Sequence, residues 1–336
     1  MDYIKKTIEL HNHFGKNDNY VQAAGGNISI KDGDIIHIKK SGLHFKDIKD
    51  KNDVISLNIS KKDINQEVLS IKNKKNLENR YNEFIDQKNS GKGRPSIELS
   101  FHIFGDKYTL HLHPTLINIF TCTKEGQKII KKMCEDNDDM SYVDYYKPGI
   151  ILTDEILKER FALNDITFLF NHGIIVTGPS EDAIKERYKS VENALKKEIV
   201  YKEYLQEGPL CELLGEDLLA FPLKPVKYGY KIKNKFLDKL DKKWNNQEKL
   251  IGIKETSLNL HLYPDSVIYD LLYVGQKFIS AENLKDATFR AEIFINKMKI
   301  EHFAKLNGFT PCYLNQEFID ELKNWDAEKY RQDLLR

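Results

Sequence analysis

The sequence is poor in cysteine, and its few cysteines are scattered. Four occur among 336 residues and none forms a Cys-x-x-Cys pair, which argues against both a disulfide framework and a thiolate zinc site. We therefore predict free thiols in a reducing compartment. These are Cys122, Cys134, Cys211 and Cys312.

Long apolar runs and an excess of charge of one sign are also missing. No run approaches the ~18 residues of a membrane span, and the start MDYIKKTIELHNHF has two histidines where a signal peptide needs an apolar stretch. The formal charge is +1, from 52 basic and 51 acidic residues, so no overall field attracts nucleic acid or an anionic membrane. We predict a cytoplasmic protein with neither kind of partner.

The composition is that of a folded protein. Hydrophobic residues make up 40%, with 17 Phe and 17 Tyr, which is too apolar and aromatic for a disordered chain. At ~150 residues per domain, the length allows about two domains. A predicted helix ends near Gly208-Pro209, so we place the domains at 1–208 and 209–336, the second being an accessory α+β region. That second region has no Gly-x-Gly-x-x-Gly fingerprint, which argues against a fused dehydrogenase.

Periodicity and turn residues predict alternating helices and strands in the first domain. A helix over 3–14 precedes a β-hairpin, with strands at 27–30 and 35–38 around Asp32-Gly33. Residues 61–93 are rich in Lys, Asn and Glu and are predicted to be a solvated helix or insertion, a decoration of the fold. The later elements are a helix opened by Pro95-Ser96, a strand over 107–113, a helix over 116–133, a strand or loop over 142–149, a strand pair over 166–178 and a long helix from Ser180. In the second domain we expect a strand over 266–274 and helices over 280–308 and 315–335.

Three of the ten histidines fit a common site. His111 and His113 are two apart in an alternating segment, and on a strand both would point to one face. His11 and His13 share this spacing but lie in a helical pattern, where two residues rotate the side chain by ~200° and would separate them. His172 follows a buried strand, and Gly173 next to it lets the backbone turn so that the ring could reach inward.

Three neutral imidazoles with an open fourth position are the ligand set of a catalytic Zn²⁺ site. The spacing alone also fits two half-buried histidines and an ordinary turn. Glu98 could shuttle a proton beside such a metal, although an acid in the first helical turn is also favoured by the helix dipole. His102, four residues on, could simply hydrogen-bond to it.

Two small-residue turns could direct backbone N–H groups at an anion. One contains Gly26 and Asn27 and is followed by Ser29, and the other is Ser41-Gly42. The alternative for both is plain hairpin geometry. The neighbouring lysines, Lys39 and Lys40, are predicted to lie at the surface.

Taken in order, the blocks GGNIS, IKKSG, RPSIELSFH, HLHP, YYKPG and NHGIIVTG resemble the class II aldolase and adducin family over about residues 1–205. This family includes fuculose-phosphate and rhamnulose-phosphate aldolases, a ribulose-phosphate 4-epimerase and a methylthioribulose-phosphate dehydratase. The resemblance implies an α/β fold of three layers, α/β/α, around a mostly antiparallel sheet. It also implies a homotetramer and a carbohydrate substrate.

By this resemblance, His111, His113 and His172 would hold one Zn²⁺ per chain, or another divalent metal. Glu98 would be the catalytic acid/base, and Tyr145 matches a position near a second proton donor. The matching phosphate-binding positions are Gly26, Asn27, Ser41, Gly42 and Ser96.

The chain departs from the fuculose-phosphate type at Ile97, where that type has a second serine. This leaves open whether the substrate is phosphorylated, and Arg94 could compensate as a bidentate anion ligand. The sequence thus favours a zinc-dependent lyase that cleaves or forms a C–C bond in a sugar or sugar phosphate. A dehydratase, epimerase or decarboxylase would use the same residues. Two hypotheses from other functional classes are a zinc hydrolase and a non-catalytic, adducin-like interaction protein.

Overall fold

The computed structural model describes residues 2–158, 162–203, 211–220, 224–232, 268–271, 276–281 and 283–325. A seven-stranded sheet forms its centre, in the order β3-β2-β1-β4-β7-β6-β5. All neighbouring strands are antiparallel except β5 and β6, which confirms the predicted mostly antiparallel sheet. The strands are β1 Asn27–Asp32, β2 Ile35–Lys39, β3 Val54–Asn58, β4 Tyr108–Leu112, β5 Met140–Val143, β6 Ile166–Leu169 and β7 Gly173–Gly178.

Helices cover both faces of this sheet. They are α1 Tyr3–Gly15, α2 Lys61–Glu67, α3 Lys74–Lys88, α4 Leu99–Phe104, α5 Thr115–Thr121, α6 Lys124–Glu135, α7 Ile150–Leu157 and α8 Glu181–Lys196. Alternate residues of each strand point to opposite faces. Ile28 and Leu110 therefore pack with α1, α5, α6 and α8, whereas Ile36 and Ile38 pack with α3, α4 and α7. The predicted α/β/α layering is confirmed.

The polar side chains of the sheet are concentrated on the second of these faces. Asn27 pairs with His111 across β1 and β4, and Ser29 pairs with Thr109. All four are buried. Because buried polar groups need hydrogen-bond partners, this row indicates a functional network rather than an apolar core.

Several predicted elements need correction. The helix predicted over 116–133 is two helices, because Thr123 caps α6 by accepting the N–H of Gly126. The helix after Pro95 begins only at Leu99, and α8 ends at Lys196 rather than near Gly208.

The 61–93 insertion forms two helices and is not mere decoration. Helix α3 buries a face of large residues that joins the core beside β2 and β3. These residues are Leu77, Tyr81, Phe84 and Ile85. The lysine-rich composition concealed this face, since only four positions in 15 carry it.

Four strands of the second region form a closed barrel in the order β10-β11-β9-β8. They are β8 Cys211–Ala220, β9 Lys224–Ile232, β10 Ile268–Leu271 and β11 Gln276–Ser280. The predicted strand over 266–274 is thus present in part, as β10. His261 and Asp265, which we predict to be structural rather than catalytic, lie outside the described residues.

Two helices follow, α9 Leu284–Leu306 and α10 Gln316–Lys323. Helix α9 contributes Ile300 and Phe303 to the core beneath the main sheet, so the chain returns to the first region after the barrel strands. The division at residue 208 stays a prediction. Among the described residues, no helix combines the length and apolar character needed to cross a bilayer.

Candidate metal centre

Strand β4 carries the first histidine of the cluster. His111 is fully buried and donates its Nδ1–H to the carbonyl oxygen of Ile174 on β7, at 3.0 Å. This bond fixes the tautomer, so the lone pair of Nε2 points into the cluster. His113, just past the end of β4, brings its Nε2 to 2.9 Å from that of His111. The i, i+2 spacing therefore directs both imidazoles to one face, as predicted.

The turn between β6 and β7 carries the third histidine. Asn171 adopts a left-handed conformation, with φ of 54°, and this residue rather than Gly173 supplies the reversal. Gly173 is needed for a different reason: a Cβ there would lie 2.2 Å from the carbonyl oxygen of Leu112. His172 is buried and its Nε2 lies 3.0 Å from Oε1 of Glu98.

Glu98 sits just before α4 and completes the cluster. It is 3% exposed, and its Oε2 lies 3.3 Å from Nε2 of His111. The ligand atoms of Glu98, His111, His113 and His172 all lie within 4.8 Å of one another. Three imidazoles and a carboxylate at this spacing can hold a divalent cation. The prediction that these side chains converge is confirmed, and their roles stay predictions.

Burial governs the ionisation of these groups. It lowers the pKa of His172, against the opposing effect of Glu98. Burial alone would raise the pKa of Glu98, but the His111 and His172 rings outweigh it and hold the pKa well below the ordinary value. Glu98 is therefore a carboxylate near neutral pH, the form that ligates a metal or accepts a proton.

Asn27 links the cluster to its surroundings. Its Nδ2 donates to Oε2 of Glu98 at 2.9 Å and to Oγ of Ser96 at 2.8 Å. Its Oδ1 is bonded to Nε2 of His102, whose Nδ1 is 2.8 Å from Oγ of Ser29. His102 thus bonds to Asn27 and Ser29, whereas the sequence had left open a hydrogen bond to Glu98.

A pocket adjoins this network on the side of the predicted phosphate ligands. The segment around Ser96 pairs with the end of β2, through Ser96 N–H to Lys39 O and Ser41 N–H to Arg94 O. Ser41, Arg94 and Ser96 consequently line one pocket. Its other walls come from α3, from the 148–150 turn and from Trp325, none of which the sequence had indicated.

The predicted glycines near these residues have a left-handed backbone conformation. Gly26 and Gly42 both have positive φ, 64° and 81°. A Cβ on Gly26 would lie 2.9 Å from the carbonyl oxygen of His111, so a side chain here would push β1 away from the cluster. Glycine is required at this position by both the backbone conformation and the close approach.

Tyr145 lies on the side of the site that the C-terminal helices cover. Its ring packs edge-on against Phe318 at 5.0 Å between centroids. Its hydroxyl is buried and has no hydrogen-bond partner among the described residues. Burial, followed by the charges of Glu321 and Glu98, raises the pKa of this hydroxyl.

Two further expectations have clear outcomes. His11 and His13 do not form a site, because His11 is buried and bonds to Thr7 O and Ile28 N–H.

Lys39 was expected at the surface, and this is wrong: it is 1% exposed and its amine donates to the carbonyls of Ala24 and Leu43. A buried ammonium held by carbonyls serves to fix two turns.

The three-layer fold and the buried His₃–Glu cluster define an α/β protein with a candidate metal centre. The chain matches the family described as Class II Aldolase and Adducin N-terminal domain over residues 5–199. It belongs to this family, as its sequence blocks had indicated.

The chain is also similar to individual proteins. The chain is 26% identical over 173 residues to an L-fuculose phosphate aldolase of Methanococcus maripaludis, covering 47% of this chain and 76% of that protein. A second L-fuculose phosphate aldolase, from Methanocaldococcus jannaschii, is 29% identical over 175 residues, which is 47% of this chain and 75% of the relative. Among solved structures, the N-terminal class II aldolase domain of a conserved Thermoplasma acidophilum protein is 19% identical, with a TM-score of 0.49 over 59% of this chain and 93% of that one. The family match supports an aldolase-type enzyme.

Proposed function

We propose that this protein is a zinc-dependent lyase that cleaves or forms a C–C bond in a hydroxylated carbonyl compound of the sugar-phosphate class. The observation that carries the proposal is the buried cluster of Glu98 and three histidines, whose ligand atoms lie within 4.8 Å of one another. Burying four such groups without a cation would leave their lone pairs poorly compensated. A divalent cation satisfies them together.

The donor set fits zinc. His111, His113 and His172 would hold the ion, and the Nδ1–H bond from His111 to Ile174 O orients that ring for the task. When bound, the ion supplies a Lewis acid that polarises a carbonyl oxygen and stabilises negative charge next to it. One Zn²⁺ per chain is proposed, and another divalent metal would fit the same ligands.

Glu98 would be the acid/base. Its carboxylate is ionised, lies beside the histidines and accepts the N–H of Asn27 at 2.9 Å. That hydrogen bond fixes the orientation of the carboxylate, so one oxygen can take a proton from a substrate hydroxyl and return it to carbon. Tyr145 is proposed as a second proton donor, since its buried hydroxyl lacks a partner among the described residues.

The substrate's anionic group is proposed to lie in the pocket beside Ser96. Ser41, Arg94 and Ser96 line this pocket. Gly42 follows Ser41 directly in the chain, and Asn27, which follows Gly26, donates to Oγ of Ser96 at 2.8 Å. Two relatives carry the name L-fuculose phosphate aldolase. Ile97 offers no hydroxyl where the fuculose-phosphate type has one, so Arg94 would take over part of the charge compensation.

We propose a cytoplasmic homotetramer, a catalytic domain over 1–208 and an accessory region over 209–336. A dehydratase, an epimerase or a decarboxylase could use the same side chains. An adducin-like scaffold would gain nothing from a buried carboxylate among three imidazoles, because their desolvation costs stability.

Two measurements test the proposal together. Metal analysis after gentle purification should give close to one equivalent of zinc per chain, and less than about half would favour the scaffold, since three-imidazole sites retain metal. Ketose phosphates, free ketoses and 3-keto acids should then be screened for release of aldehyde, ketone or CO₂, with and without a chelator. Release that persists in the metal-free protein would contradict the zinc mechanism.

A further inference from the structure

The C-terminal helix α9 lies outside the residues that match the family, yet it reaches the site through a row of buried polar side chains. Glu292, Asn296 and Lys299 are four and three residues apart, so they lie on one helical face. They are 8%, 7% and 5% exposed. Three polar groups this deeply buried require specific partners.

All three find partners on one loop, residues 19–23, or next to it. Glu292 accepts the backbone N–H of Ala23 at 2.7 Å. Asn296 donates to Oε1 of Gln22 at 2.9 Å, and Lys299 donates to Oδ1 of Asn19 at 2.8 Å. The helix therefore holds the loop at its first residue and at its last two residues.

The other side of this loop is bonded to the chain at the metal centre. The carbonyl of Tyr20 accepts the N–H of His113 at 3.0 Å, and that of Asn19 accepts the N–H of Thr115 at 2.8 Å. Thr115 is tied to the helix as well, through Oγ1 to Oδ1 of Asn296 at 2.6 Å. Past Ala23 the same loop leads into Gly26 and Asn27.

We infer that α9 is part of the active-site scaffold and that Glu292, Asn296 and Lys299 are positioning residues, which hold loop 19–23 so that His113 and Asn27 keep their orientation. The effect that we infer on catalysis rests on the proposed function. The hold of α9 on the loop does not, because its hydrogen bonds are all within the protein.

A second contact from the same C-terminal segment reinforces the role. Nδ2 of Asn171, the residue before His172, donates to the carbonyl oxygen of Cys312. Residues after 283 thus contact the turns that precede or follow two of the three histidines. A helix that served only to cover apolar surface would not need these polar contacts.

The test compares Glu292→Ala with Glu292→Gln, which keeps a side-chain acceptor for Ala23 N–H. Ile300→Val is the matched control, since Ile300 is buried on the same helix but packs in the apolar core. Hydrogen exchange of the metal-free, full-length proteins is followed in peptides spanning 19–27 and 110–115. The Zn²⁺ dissociation constant and the visible spectrum of the Co²⁺-loaded proteins are measured in parallel.

In Glu292→Ala we expect exchange in both peptides to accelerate at least about tenfold, the Zn²⁺ dissociation constant to rise about tenfold and the Co²⁺ spectrum to change. In Glu292→Gln, the exchange rates, the Zn²⁺ dissociation constant and the Co²⁺ spectrum should be close to those of the unsubstituted protein. Ile300→Val should change none of these three. If Glu292→Ala does not fold, Lys299→Met is measured in its place, since it releases the same loop at Asn19. Exchange and metal affinity like those of the unsubstituted protein would overturn the inference.

The outcomes separate this inference from the proposed function. If the unsubstituted protein binds no Zn²⁺, the zinc lyase proposal fails, whereas the exchange data still decide whether α9 holds the loop. If zinc binds and the exchange is unaffected by Glu292→Ala, the helix is a cover and the lyase proposal stands.

Discussion

Asn27 and Glu98 meet through a hydrogen bond of 2.9 Å between Nδ2 and Oε2, although they lie 71 residues apart in sequence. The same amide nitrogen is 2.8 Å from Oγ of Ser96. A residue that the family resemblance assigns to phosphate binding is thus bonded directly to the proposed acid/base. Movement at the anion pocket is therefore expected to reach the carboxylate through this one side chain.

The first prediction concerns the carboxylate itself. Glu98→Gln should leave the zinc content intact, because three histidines hold the ion, while turnover falls by roughly 10² or more, the usual scale for a general acid/base. Metal analysis and steady-state kinetics on the same preparation check this. Glu155→Gln is the control, since Glu155 lies on α7 and pairs with Lys74 and Lys158. Near-normal turnover in Glu98→Gln would remove this residue from the mechanism.

The second prediction concerns a metal ligand. His113→Ala should lose both zinc and activity, because two imidazoles and a carboxylate retain the ion far less well. His37→Ala is the matched control: this histidine lies on β2 and bonds only to Ser56 among the described hydrogen bonds. It should keep its metal. A zinc-free His113→Ala protein with full activity is incompatible with the proposed centre.

The third prediction concerns the second proton donor. In Tyr145→Phe, stability should be unchanged or should rise by up to about 1 kcal/mol, because the buried hydroxyl lacks a partner among the described residues. Turnover should nevertheless fall by roughly 10². Tyr188→Phe removes from α8 a hydroxyl that is also buried and has no hydrogen-bond partner in the described part of the chain, and it should affect turnover little. Equal activities of the two variants would show that Tyr145 only fills space.

The fourth prediction concerns the substrate's charge. Arg94→Met should raise KM for a phosphorylated ketose by about 10- to 100-fold, the worth of a hydrogen bond to a charged group, and leave KM for the unphosphorylated sugar unchanged. Arg80→Met serves as the control, since that arginine pairs with Glu67 on the neighbouring helix. An equal effect on both sugars would contradict a phosphate role for Arg94.

The fifth prediction follows from the burial of Glu292. Burial raises the pKa of this carboxyl from 4.5 to about 7, against the lowering effect of the Ala23 N–H bond and of Lys46, while Asp18 and Asp47 raise it further. Between these two values the folded state holds a proton that the unfolded state has released. Stability contributed by Glu292 is therefore present below about pH 4.5 and is lost as the pH rises to about 7, by on the order of 3 kcal/mol.

Denaturant unfolding of the unsubstituted protein and of Glu292→Gln across this pH range checks the sign. His44 lies 3.5 Å from Glu292, and its pKa is lowered to about 3 by burial, then by Lys46 and Lys39. The contribution of His44 to the free energy of unfolding therefore rises as the pH rises from about 3 to 6.5, whereas that of Glu292 falls as the pH rises. The difference between the two proteins isolates the carboxyl, and a difference that stays constant with pH would contradict the prediction.

The sequence predicted those parts of the molecule that depend on local pattern. The helix from Tyr3, the hairpin at Asp32-Gly33 and the strand ending at His113 follow from periodicity and turn chemistry. The convergence of the histidines and Glu98 could not be predicted from local pattern, because the contact between His172 and Glu98 joins residues that are far apart in the sequence. The ordered family blocks supplied that information.

Other parts could not be predicted because their cause is long-range. Lysine is usually a surface residue, so the sequence gives no sign that Lys39 is buried. Its amine is held by the carbonyl oxygens of Ala24 and Leu43, which the fold brings together. Trp325 donates its indole N–H to Glu78 of α3 at 2.9 Å, across 247 residues. No local signal indicates that such residues share a pocket wall.

Gly173 sets a limit on how this centre can be altered. Its missing side chain allows the β7 backbone to approach the carbonyl of Leu112, where a Cβ would be only 2.2 Å away. Replacing it with alanine would push apart the two backbone segments that carry His172 and His113. The centre would be damaged although no ligand residue had been replaced. Anyone grafting this site onto another scaffold must therefore transplant the glycine together with the histidines.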